Sequence, residues 1–375
     1  MTIREVGWTV FLVGLPFAHF LFRPLDLWHG QAIWSQGWIL ALFALSLGSD
    51  GRKISPNRPL AAFIAWIGLV SLWMWVHTMT TQKIYPVPML QGLMHLVLLL
   101  LAYQAAVTTW TTEFIGLLTR RMVWVGVAVI GYGLLQLMNL DQFLNSLEGT
   151  KKDELVGTIG NPTHLSAQMS LLAPLLLLWC PWALIGVLVI FSVTQSLGGQ
   201  LACLVALAWW GWHQERKWLW VAGGLSLLGG LWVWLHPGLL NPHGRLKAWG
   251  IFYQMFQSRP ITGLGPGSIM EFSRTITDGT NFFYGWRHVH NEFFQAAIEY
   301  GVIGLGLILW MCWDIGRTIH RLKKTPLVVA LSGTLIAFGV NSLVNFPAHL
   351  WLLGSYALVA YCGLKVIEAE TVQCQ

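Results

Sequence analysis

Apolar residues run in long blocks separated by short polar connections along almost the whole chain. The blocks lie near 6–22, 31–48, 59–78, 87–109, 122–139, 163–180, 182–196, 199–213, 217–235, 291–314, 326–345 and 348–366. A helix crossing a bilayer needs roughly 20 mainly apolar residues. The pattern therefore predicts an all-α, polytopic membrane protein of about twelve transmembrane helices, some of them short. Pro181 divides the sixth block from the seventh, and Gly198-Gly199 divides the seventh from the eighth; both are turn signals. One connection differs from the rest: residues 236–290 form an extended polar segment between two spans. The expected organisation is a single integral membrane domain over 1–375 with one large external loop at 236–290. The first block follows Arg4 and Glu5 without a small-x-small cleavage site and reads as a retained anchor.

Composition narrows the class. The chain is 55% hydrophobic and 10% charged, against about 25% charged in an average soluble protein, and its mean hydropathy is +0.59. These values exclude a disordered chain and an ordinary soluble enzyme. The net charge of +6 is distributed by topology, so no nucleic-acid partner is expected. One set of connections holds Arg4, Arg52, Lys53, Arg58, Arg120, Arg121, Arg216, Lys217, Arg317, Arg321, Lys323, Lys324 and Lys365. The other set holds nine basic residues, five of them in 236–290, and long segments cross a membrane regardless of charge. The positive-inside bias thus puts both termini in the cytoplasm and 236–290 outside. Trp28, Trp34, Trp38, Trp110, Trp182 and Trp286 near block ends suit interfacial belts among the membrane lipids. The five cysteines are scattered and suggest no disulfide framework.

The external segment ends in Arg287-His288-Val289-His290-Asn291-Glu292, where the tenth span begins. His290 or Asn291 would then lie near a helix start, where free backbone N–H groups favour anions. At about 100° per residue, Gly301, eleven positions on, returns to the face of His290, with Gly304 three residues further. Such glycines let a neighbouring helix pack closely. Gly263-x-Gly265-x-Gly267 lacks a surrounding βαβ unit and contains Pro266, so it reads as a tight turn and not as a dinucleotide fingerprint. His288 and His290 could form half a metal site with His236 or His243, but no thiolate or carboxylate cluster has ligand spacing; neither metal nor cofactor is expected. Asp26, beside Arg23 and His29, is an acidic candidate in the first external connection that reads equally well as ordinary loop.

His290-Asn291, nine residues, Gly301, two residues and Gly304 resemble the signature of the O-antigen ligase and polymerase superfamily. Three further pieces fit in order: "GTIGNPTHLSAQMSLLAPLLLL" at 157–178, "TQSLGGQLACL" at 194–204 and "GRLKAWGIFYQMFQSRPITGLGPGS" at 244–268. The resemblance implies a GT-C-like helical fold in the bacterial cytoplasmic membrane, with the active site facing the periplasm. It implies transfer of a glycan from an undecaprenyl-pyrophosphate-linked donor to a lipid A-core, polysaccharide or protein acceptor. Arg245 matches the family's loop arginine, suited to gripping pyrophosphate. His290 matches its catalytic histidine, suited to accepting the acceptor's hydroxyl proton. The implied reaction is one inverting displacement without a required metal. Arg287, Asn291, Asn161, His164, Gln195 and Gln200 are candidate substrate contacts, and Gly301, Gly304, Gly265 and Gly267 are structural candidates.

One position departs from the family pattern. Leu197 follows Ser196 where the resemblance calls for a second functional arginine. Either Arg287 or another external base supplies that charge, or the donor is held differently, or activity is lost. Two other functions stay open: a transporter or flippase, which would need paired ionisable residues within its spans, and a non-catalytic relative. Glu299 and Asp314 are the main charges inside apolar blocks, and His77, His95 and His349 lie near block ends or interiors.

Overall fold

The computed structural model describes residues 2–18, 27–47, 58–81, 86–138, 140, 155–235, 245–270 and 288–373. Arg23, Asp26, His236, His243 and Arg287 lie outside the described residues, as does the side chain of His29. Every regular element among the described residues is helical. The helices are α1 Ile3–Gly14, α2 Leu27–Leu47, α3 Arg58–Thr81, α4 Pro86–Thr109, α5 Thr112–Leu137, α6 Pro162–Trp179, α7 Leu184–Thr194, α8 Leu197–His213, α9 Lys217–Leu235, α10 Arg245–Ser258, α11 Glu292–Arg321, α12 Pro326–Ser342 and α13 Trp351–Gln373. Four of them, α5, α9, α11 and α13, are long and apolar enough to cross a membrane; several others are apolar and shorter. Within the polar segment 236–290, the described residues 245–270 include one helix, α10.

Local sequence fixes the helix ends. Asn161 caps α6: its Oδ1 accepts from the backbone N–H groups of Thr163 and His164 at 2.8 and 3.4 Å, and Pro162 sits at the first turn, where no N–H is needed. Pro181 opens a 3-10 turn between α6 and α7. Thr325 caps α12 with Pro326 behind it.

Helices α6, α8 and α12 pack on one another at the centre. Helix α6 is buried from His164 to Leu177, so it has no face left for lipid. Small residues let its neighbours approach: a Cβ at Gly199 of α8 would lie 2.2 Å from Ser166 Oγ, closer than any real contact. Polar clips cross the same interface. Asn341 Nδ2 donates to Ser170 Oγ at 2.8 Å and Thr334 Oγ1 donates to Leu171 O at 2.9 Å. By contrast, Trp220, Leu227 and Trp234 make α9 an outer helix, 83%, 78% and 76% exposed. In a bilayer that surface is solvated by acyl chains.

The two ends of the bundle differ in chemistry. At the start of α12, Gln214 Nε2 donates to Lys324 O at 2.9 Å. Lys365 lies 2.9 Å from Asp314 and 3.2 Å from Glu368, and Lys365 Nζ donates to Thr318 at 2.8 Å. Asp314 is thus a paired structural charge. At the other end of α12, about 25 Å away at 1.5 Å per residue, the histidines gather.

Candidate active site

The segment between α12 and α13, Leu343 to His349, is where four distant pieces of sequence meet. Asn291 caps α11, accepting from Phe294 N–H at 2.9 Å through Oδ1, while its Nδ2 donates to Leu343 O at 2.9 Å. Arg245, the first residue of α10, donates from Nη1 to Val344 O at 2.7 Å. A Cβ on Gly198, next to Leu197, would come within 2.6 Å of Val344. Phe346, 5% exposed, carries three imidazoles: His288 stacks on it at 4.2 Å, His290 meets it edge-on at 4.8 Å, and His164 does so at 5.1 Å. Arg245 and His290 are therefore docked on residues two apart in one short segment.

Helix α10 is held to the histidine stretch from a second side. Trp249 Nε1 donates to Val289 O at 2.8 Å. Ala248, Phe252, Met255, Leu264, Ile269, Val289 and Ile298 form a small core of their own. An amphipathic helix that buries one face this way carries Arg245 as a fixed group.

Glycines decide how the loop joins α11. Gly301 breaks that helix with φ +68 and ψ −174, a combination open essentially to glycine alone. The break frees the carbonyls of Ile298 and Glu299, which an unbroken helix would pair with the N–H groups of residues 302 and 303. Leu264 N–H donates instead to Ile298 O at 2.8 Å, Gly265 N–H to Glu299 O at 2.8 Å, and Val302 N–H to Pro260 O at 2.8 Å. The turn at 260–265 is spliced into the helix, and both freed carbonyls and the Val302 N–H find partners there. Gly263, at φ +75, has no room for a Cβ, which would sit 2.4 Å from the backbone of Glu299. The sequence expectation of one continuous stripe from His290 to Gly301 and Gly304 is corrected here: the break interrupts the 100° periodicity. Gly304 does pack closely, with Trp66 of α3 beside it.

Only two non-glycine residues among those described have positive φ: Gln195 at 48° and His290 at 57°. Both were singled out from the sequence, and strain of this kind concentrates at functional sites. Gln195 ends α7 in the left-handed conformation and is exposed. Gln200 Nε2 donates to Phe191 O at 2.9 Å, satisfying a carbonyl at the same helix end.

A polar network lies under the imidazoles. Val289 N–H donates to Gln295 Oε1 at 3.3 Å, which orients the amide. Its Nε2 then faces His288 Nδ1 at 3.3 Å, His349 Nε2 at 3.1 Å and Glu299 Oε1 at 3.3 Å. Glu292 Oε1 accepts from Ala348 N–H at 2.6 Å, and its Oε2 lies 3.0 Å from His349 Nδ1. Burial holds His288 well below the ordinary histidine range, with His349 and His290 adding to the effect. For His349 burial opposes the charge, but Glu292 and Glu299 outweigh it and push the group up to about 9. Burial also lowers Arg245, though a guanidinium stays protonated under any physiological condition.

Phe346, His349, Gln295 and Glu292 escaped the sequence reading as site residues. Glu292, Gln295 and Glu299 did leave a signal, since spacings of three and four put them on one face of an otherwise apolar helix. Nothing local marked Phe346.

The architecture is thus an apolar helical bundle whose long apolar helices define an integral membrane protein, with an arginine and several histidines gathered at one end. Residues 182–311, α7 through most of α11, match the family model described as O-antigen ligase. The match spans Arg245 and His290 and supports a membrane glycosyltransferase of the O-antigen ligase type. No curated protein matches the chain.

Proposed function

We propose that this chain transfers a glycan from an undecaprenyl-pyrophosphate carrier to an acceptor hydroxyl at the periplasmic face of the bacterial cytoplasmic membrane. The acceptor is a lipid A-core, a growing polysaccharide or a protein. The chain forms one integral membrane unit of about twelve spans, and 236–290 lies on the side of the reaction. In the step itself the acceptor oxygen attacks the sugar carbon, the bond from that carbon to the phosphate oxygen breaks, and His290 takes the hydroxyl proton. Configuration inverts, no metal takes part, and Arg245 offsets the charge gathering on the leaving diphosphate.

The observation that carries this reading is the docking of Arg245 on Val344 and of His290 on Phe346. One base and one fixed cation share a short segment, as an in-line displacement from a diphosphate requires. Gln195 and Arg287 serve as donor contacts. Asn161, His164, Gln200 and Asn291 shape the pocket wall, since their side chains hold helix ends or face Phe346. Arg287, three residues before His290 in the sequence, is assigned the charge missing at Leu197.

The test is glycan transfer from a lipid-linked donor by purified protein in membrane mimetic. His290→Ala should reduce turnover at least 100-fold while thermal unfolding stays near wild type. Full turnover by a folded His290→Ala variant would remove His290 from the mechanism.

A further inference from the structure

The network beneath His290 has more acceptors than hydrogens. Gln295 cannot turn its amide over, because Oε1 must receive the Val289 N–H; its NH2 therefore has two hydrogens for three neighbours, His288 Nδ1, His349 Nε2 and Glu299 Oε1. Which two it serves depends on His349. A neutral His349 with its proton on Nδ1, toward Glu292, presents a lone pair at Nε2 and draws one hydrogen away. A protonated His349 presents an N–H there, so the two nitrogens, 3.1 Å apart in the structure, must draw apart, and both hydrogens go to His288 and Glu299.

We propose that Glu292, His349 and Gln295 are positioning residues for His290: a proton on His349 leaves Gln295, already fixed on Val289, a hydrogen for His288 as well, and so steadies the backbone stretch 288–289 that presents His290. The inference rests on the reading of His290 as the base. Val289 is fully buried and is tied on both sides, its N–H to Gln295 and its carbonyl to Trp249. The next residue, His290, sits in a positive-φ conformation that its surroundings must enforce. Glu292 clamps the far side by accepting Ala348 N–H. Among the described residues, the charged or titratable groups around His349 are Glu292 and Glu299 from α11 and His288 before it. His290 and His164 stand across Phe346.

The sign follows from His349 being raised to about 9 in the folded protein from roughly 6.5 unfolded. Its contribution to stability is complete below about 6.5, declines as pH rises, and is gone once pH passes about 9. Transfer activity should fall with an alkaline limb near 9 as the proton leaves.

The experiment measures both transfer rate and thermal unfolding from pH 6 to 10 for wild type, Glu292→Gln and His349→Gln. Glu292→Gln keeps an oxygen for Ala348 N–H but removes the charge. It should move the limb down by at least one pH unit in both readouts, and His349→Gln should abolish it in both. A limb that stays at its wild-type pH in either variant overturns the proposal, and so does a wild-type unfolding curve flat between pH 6.5 and 9. If wild type transfers no glycan, the functional reading falls, and the unfolding limb still decides the state of His349. A purely structural role predicts variants whose unfolding limb moves while the transfer limb stays at its wild-type pH, which also overturns the proposal.

Discussion

Gly301→Ala probes the splice between the turn at 260–265 and α11. A Cβ at this position would lie 2.0 Å from Ile261 O and 2.3 Å from Ile261 C, and these backbone atoms cannot swing aside as a side chain end can. The backbone angles, φ +68 and ψ −174, add about 1–3 kcal/mol for a residue with a side chain. The way out is to straighten α11 and expel the turn. Straightening restores the helical bonds to Ile298 O and Glu299 O but strands the N–H groups of Leu264 and Gly265 and the carbonyl of Pro260. Those groups are worth about 1 kcal/mol each. A net cost of about 2–4 kcal/mol lowers the population of the spliced form roughly 30- to 700-fold. Because the turn continues from α10, its expulsion should pull Arg245 and Trp249 from their partners. Thermal unfolding and glycan transfer in a membrane mimetic are the assays, with Gly306→Ala as control, since no atom lies within 4 Å of a Cβ there. The control should be close to neutral in both assays. Gly301→Ala should unfold at lower temperature and lose most transfer. A Gly301→Ala protein indistinguishable from the Gly306→Ala control in both assays would refute the reasoning.

Trp249→Phe keeps an aromatic ring, though a smaller one, and removes the donor to Val289 O, so it should cost at least about 1 kcal/mol of stability and a larger share of transfer rate. Trp220→Phe, at a position 83% exposed, should alter neither when thermal unfolding and turnover are measured side by side. Gly199→Ala forces a methyl against Ser166, 2.2 Å from its Oγ and 2.7 Å from its backbone carbon; overpacking of this kind costs about 1–3 kcal/mol. It should appear as a lower unfolding temperature that Ser166→Gly partly restores.

Much of this was legible along the chain because it is local. Apolar blocks mark helices regardless of partners, Asn161-Pro162 and Asn291 write their own caps, and Pro181 writes its own break. Arg245 and His290 carried recognisable motifs, and the structure brings both to one segment. What could not be read depends on contacts across long separations. Phe346 becomes a platform only because α6, α11 and the stretch before α11 all end beside it, and no spacing near residue 346 encodes that. His349 looked like a histidine at a block end, since its ion pair with Glu292 joins residues 57 apart in the sequence. Gly301 was legible as a required glycine, but its reason was not. The 3.6-residue period assumes a continuous helix, and the splice partner lies some forty residues upstream.

The claim on which the account turns is that one pocket contains both the cation for the diphosphate and the base for the acceptor. The direct measurement is a structure of the full-length protein with an undecaprenyl-diphosphate-linked donor bound in a lipid environment. The account predicts phosphate oxygens within hydrogen-bond distance of the Arg245 guanidinium, and the sugar carbon of the scissile bond on the side of His290. A donor bound elsewhere, or one whose phosphates contact neither residue while transfer proceeds, would contradict it.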